Sequence, residues 1–66
     1  MDNRIVRVYY TNWKGETEWR TIIPHDIFFG LNKYHTEPQW LMVGWDLDKS
    51  SERIYAMKDI KEWKIP

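Results

Sequence analysis

Two arginines, Arg20 and Arg53, carry planar guanidinium groups whose fixed N–H donors suit a phosphate or carboxylate, so two that converge form an anion cradle. The competing role is cross-strand salt bridging with Glu18, Glu37 or Glu52, since surface ion pairs are common and individually weak. Trp13 and Trp40 offer indoles on which a base or another flat ligand stacks for roughly 1–3 kcal/mol. For Trp40 core filling is the favoured role, because a chain short of apolar mass must bury some of its indoles; Trp13 sits in a hairpin turn, where burial is harder to arrange. His35, Glu37 and Gln39 alternate along an extended segment and share one side beside Trp40. Imidazole, carboxylate and amide together recognise hydroxyls or a purine edge, with His35 switching charge near neutral pH; equally, they fix the loop by bonding its own backbone. Tyr55 follows Arg53 on a strand that returns basic and aromatic side chains to the same neighbourhood.

Other chemistries find less support. His25-Asp26 and His35 with Glu37 show no recognised zinc spacing, so no metal is expected. Asp46-Leu-Asp48-Lys-Ser50 opens like a calcium loop, but Ser51 stands at the required glycine and Met57 at the bidentate glutamate, which leaves a solvated turn. There is no nucleophile elbow, glycine-rich phosphate loop or cysteine, and the acidic pair Glu16 and Glu18 would need a cleft that so short a chain scarcely builds. The expectation is a non-enzymatic protein without catalytic residues or cofactor.

The elements that must position these side chains are short strands. The chain has 66 residues, read as one domain over 1–66, and at that size only about 60% of the unfolded surface is buried on folding. Aromatics, 17% of the residues, compensate, and the absence of cysteine removes disulfides and suits a reducing cytoplasm. Ten basic and ten acidic residues cancel, which removes a broad positive field for a phosphate backbone. No apolar stretch approaches the roughly 20 residues that span a bilayer, and Met-Asp-Asn-Arg opens no signal peptide, so no membrane association is expected.

Period-two patterning predicts a first strand over Arg4–Tyr10 and, after the Asn12–Gly15 turn, a second over Glu18–Ile23 that stops or kinks at Pro24. A third short strand is expected over Ile27–Leu31, where Ile27, Phe28 and Phe29 are consecutive; this fits cover on both faces or a bulge. After an irregular segment over Asn32–Pro38, Gln39–Asp46 puts Leu41, Val43 and Trp45 on one face and Trp40 and Met42 on the other, with Gly44 a gap in the second row. Arg53–Met57 reads as the last long strand, followed by a short turn. Ile54, Met57, Ile60 and Trp63 recur every three residues and also suit a helix, which stands as the alternative for the last third. The fold class expected is all-β, a small five-stranded antiparallel barrel whose closure removes exposed edges.

The succession Tyr10-Thr-Asn-Trp-Lys-Gly-Glu16, Arg20-Thr-Ile-Ile-Pro24, Trp40-Leu-Met42 and Arg53-Ile-Tyr55 with Asp59-Ile60 resembles the WYL domain over nearly the whole chain. The resemblance implies a five-stranded Sm/SH3-like barrel, usually attached to a DNA-binding helix-turn-helix in bacterial regulators, that senses ligands including nucleotides and single-stranded nucleic acid. Leu41 stands where the name-giving triplet has tyrosine and Met42 where it has leucine. The His35–Trp40 loop is similar to that of a short stand-alone bacterial and phage variety. A barrel in 66 residues leaves no room for a helix-turn-helix, so regulation is expected through a bound ligand or partner. The leading expectation is an anionic ligand, a nucleotide or short single-stranded nucleic acid. The alternative is a protein partner or homo-oligomer held by exposed Trp and Tyr.

Overall fold

The computed structural model describes residues 4–33 and 35–66. Five strands, β1 (Val6–Thr11), β2 (Thr17–Gly30), β3 (Gln39–Asp46), β4 (Ser51–Ala56) and β5 (Ile60–Lys64), form one antiparallel sheet in the order β4-β3-β2-β1-β5. A single 3-10 turn, Met57–Asp59, joins β4 to β5. Tyr34, inside the expected Asn32–Pro38 loop, lies outside the described residues.

Alternation in β1 buries Val8 and Tyr10 on one face and leaves Arg7 and Tyr9 on the other. Val8, Tyr10, Ile22, Met42 and Tyr55 make the core cluster, with Val6, Met57 and Ile60 packed against its margin. On the opposite face Trp19 lies under the charged ends of Arg7 and Lys64, at 5.3 and 4.9 Å from its ring centre, and tilts against Tyr9. Those contacts tie β5 to β1 and β2 by cation–π attraction.

The β1–β2 hairpin turns on Asn12 and Gly15. Gly15 N–H donates to the Asn12 carbonyl at 2.9 Å, and the Asn12 side-chain oxygen accepts from the N–H groups of Lys14 and Glu16. Gly15 has φ +85, a left-handed backbone that closes the turn without steric cost in a residue lacking Cβ. The outcome is a firm loop that holds Trp13 and Lys14 outward.

Four expectations need correction. The strands expected over Glu18–Ile23 and Ile27–Leu31 are one long β2, because Pro24 kinks it without ending it: the register slips between Pro24 and Asp26, bulging the strand at His25. Gly44 faces this bend, and a Cβ there would lie 3.2 Å from the Ile23 carbonyl oxygen, so the gap in the β3 row is filled by β2 backbone. Beyond the bulge Phe28 is half-buried while Ile27 and Phe29 are exposed, so the run is not covered on both faces.

The last third is neither one helix nor a simple turn. Strand, 3-10 turn and strand follow one another, and β5 pairs with β1. The sheet also does not close, since β4 and β5 stand at its two edges. Tyr10 spans the opening instead: its hydroxyl accepts from Ala56 N–H at 3.2 Å and its ring meets Tyr55 edge-on at 5.0 Å. Lys61, Glu62 and Lys64 place charge along the open β5 edge, which discourages pairing with another chain.

Gly15→Ala meets no steric obstacle, as nothing lies within 4 Å of an added Cβ, so its cost is conformational alone. Urea unfolding of this variant is expected to show a loss of about 1–2 kcal/mol, set by the left-handed φ; an unchanged midpoint would show that the turn conformation is different.

Candidate functional site

Arg20 lies opposite Val8 and Arg53 opposite Gly44, which places both arginines on the face that carries the core cluster, where the sheet opens toward the hairpin turn. There a groove of about 750 Å³ is lined by Arg20, Arg53, Tyr55 and Tyr10 together with Trp13, Lys14, His35 and Lys49. Glu16, Glu18 and Glu52 also line it, so the groove mixes both signs of charge. A smaller hollow of about 280 Å³ adjoins it, sharing Trp13 and His35 and adding Thr36, Glu37, Gln39, Lys58 and Asp59.

Of the residues singled out in the sequence, Arg20, Arg53, Tyr55, Trp13 and His35 meet at the larger groove, and Glu37 and Gln39 meet Trp13 and His35 at the smaller one. Trp40 joins neither. It is 57% exposed and stands edge-on to Phe29 at 5.4 Å, so it does not fill the core. His35 is fixed by backbone, its N–H donating to the Asn32 side chain at 2.7 Å and its carbonyl accepting from Asn32 N–H. The Gln39 amide nitrogen donates to the Glu37 carbonyl, while its oxygen is buried without a partner among the described residues.

The residue that sequence reasoning missed is Asp46. Expected in a solvated turn, it is fully buried at the end of β3. Its Oδ1 accepts from the N–H groups of Asp48 and Lys49, its Oδ2 accepts from the Tyr55 hydroxyl at 3.2 Å, and Arg20 Nη1 lies 3.6 Å from Oδ2. Arg20 is thus paired with none of the three glutamates considered. Glu52 instead faces His25 at 3.4 Å. A signal existed in the sequence, an Asp opening a turn directly after an apolar strand, but only the β2–β3 register brings it near Arg20.

The two arginines therefore have different duties. Arg20 is nearly buried and committed to Asp46, with its Nε unpartnered among the described residues. Arg53 is exposed; its Nε donates to Ser51 Oγ at 3.1 Å, and its terminal nitrogens meet no protein acceptor among the described residues. Burial pushes the Tyr55 hydroxyl far above the ordinary phenol range, and the charge and hydrogen bond of Asp46 push further the same way. Tyr10 is raised by burial as well, partly offset by the hydrogen bond from Ala56.

Compared with known families, the sequence matches the model of the WYL domain over residues 1–65. The chain belongs to the WYL domain family. Neither a search of curated proteins nor one of solved structures finds a significant match. WYL domains are in general regulatory domains that sense ligands or nucleic acid and are not known as catalysts. In this WYL domain the tyrosine position of the name-giving triplet holds Leu41, fully buried between its strand neighbours Phe28 and Ala56, so that position gives the groove no polar group. Among the described residues no three His, Asp or Glu side chains gather as metal ligands, and no helix is long and apolar enough to cross a membrane.

Removing one partner of a buried ion pair leaves the other uncompensated, at about 3–5 kcal/mol, against a total stability of about 3–10 kcal/mol for a domain of this length. Asp46→Ala is therefore expected to lower stability in urea unfolding by about 3–5 kcal/mol, whereas Glu52→Ala, at the exposed His25 contact, shifts the urea midpoint little. Equal effects would contradict the assignment.

Tyrosine titration sets the alkaline limit. With folded-state values above the unfolded value of about 10, Tyr10 and Tyr55 favour folding fully below that pH, and the contribution is lost as pH rises beyond it. Melting curves taken across this range are expected to fall less steeply for Tyr55→Phe than for the parent; parallel slopes would count against a buried Tyr55 hydroxyl.

Proposed function

We propose that this WYL domain is a non-enzymatic regulatory module that binds a nucleotide or a short single-stranded nucleic acid in the groove beside the β1–β2 turn. The observation that carries the reading is that Arg53, its terminal nitrogens unclaimed, lines the same groove as Trp13, an indole 75% exposed on a rigid turn. A phosphate takes paired donors from Arg53 with charge support from Lys14 and Lys49, and a base stacks on Trp13. Arg20, held by Asp46, adds a fixed positive end to the floor. Glu16, Glu18 and Glu52 oppose a long polyanion, which favours a short ligand gripped by directed contacts over a duplex held by counterion release. The cysteine-free composition suits work in a reducing cytoplasm.

A second reading, a protein partner or self-association, has one specific support. Ile27 and Phe29 on β2, with Trp40 across from Phe29, expose more than half of each side chain on one face, away from both hollows. Exposed aromatics of this kind anchor interfaces. Light scattering after size exclusion separates the readings, because self-association through this face raises the mass and Trp40→Ser restores the monomer.

The nucleotide reading is tested by thermal shift against a set of nucleotides and short oligonucleotides. At about a hundredfold excess over Kd, a ligand specific for the folded form is expected to raise the midpoint on the order of 10 °C in a domain this small. Arg53→Ala and Trp13→Ala are each expected to reduce the shift. No shift with any member, or a full shift in the doubly substituted protein, would overturn the reading.

A further inference from the structure

The smaller hollow carries a pattern the anion-binding reading does not use. It faces Glu37 and Asp59, two carboxylates with no cation bonded to them among the described residues, and Gln39, whose side-chain oxygen is buried and unpartnered. Buried polar atoms are nearly always satisfied, so an orphan acceptor beside a hollow marks a place for a donor. The same hollow shares Trp13 and His35 with the larger groove. Trp13 therefore borders both the acceptors of the smaller hollow and the groove that holds Arg53.

From this we infer that the smaller hollow reads the base, and that the base it selects is guanine. The inference rests on the nucleotide reading above and deepens it. A carboxylate accepts two parallel hydrogen bonds only from two adjacent N–H donors. Among the common bases, guanine alone presents a ring N–H beside an exocyclic amino group. Adenine and cytosine place an acceptor nitrogen next to their amino group, and uracil flanks its one N–H with carbonyl oxygens, so each sets an acceptor against a carboxylate. Glu37 or Asp59 takes the guanine pair, and the Gln39 amide, turning off the Glu37 carbonyl it now bonds, brings its orphan oxygen to a further amino hydrogen. Lys58 stands at the same hollow as a donor for the guanine carbonyl oxygen.

Isothermal titration of the full chain with GMP, IMP, AMP and CMP tests this while holding the phosphate constant. IMP differs from GMP by the exocyclic amino group alone. The expected result is GMP binding roughly tenfold or more tightly than each of the other three, the loss typical when a charged acceptor is left unmet. The double variant E37Q/D59N, checked for folding by circular dichroism, is expected to bind GMP no better than IMP. Equal affinities for GMP and IMP, or unchanged GMP preference in the double variant, would overturn guanine selection and leave nucleotide binding standing. Absence of binding by all four overturns guanine selection, and overturns the nucleotide reading as well if the short oligonucleotides of the thermal-shift set are equally silent.

Discussion

The Asp46 carboxylate is the constraint around which this domain is arranged. A charge with no solvent exposure is tolerable only if its lone pairs are met, and here they are met from three directions: backbone N–H groups of the β3–β4 turn, the Tyr55 hydroxyl on β4 and the Arg20 guanidinium on β2. The attachment is reinforced next door, where Leu47 N–H donates to the Thr21 carbonyl. One side chain thereby fixes the turn, the sheet curl and the orientation of two groove residues. In a chain with few core positions, such a knot specifies which compact arrangement is adopted.

That arrangement shapes the groove. Because the sheet remains open between β4 and β5, Tyr10 and Tyr55 meet across the gap and form part of its floor. Asp46 holds Arg20, whereas the terminal nitrogens of Arg53 meet no protein acceptor among the described residues, and Trp13 stands exposed on its glycine-closed turn. The groove is lined from loops and strand ends, with the Asp46 network beneath it.

Much of this was legible in the sequence. Alternation of Val6, Val8 and Tyr10, the Asn12–Gly15 turn and the two faces of β3 follow from period-two patterning and turn chemistry, which are local. Arg20 and Arg53 were readable on predicted strands and Trp13 in a hairpin turn, and the structure lines one groove with all three. What escaped was long-range. Pro24 bends β2 without ending it, since pairing with β3 continues at Pro24 and resumes at Asp26 past the bulge, and β5 forms because β1 offers an open edge, which overrides the three-residue spacing of Ile54, Met57, Ile60 and Trp63. Trp40 escaped because composition alone cannot say which indoles remain outside. Asp46 escaped because its burial depends on register with Arg20, which no local pattern encodes.

The most direct measurement of the account is a double-mutant cycle in urea on Arg20→Met and Asp46→Asn. If the buried pair organises the domain, the two losses are strongly non-additive, with the double variant at least about 1 kcal/mol more stable than their sum predicts. Losses that add within about 0.3–0.5 kcal/mol would mean the two groups do not act on each other, contradicting the central role given to Asp46.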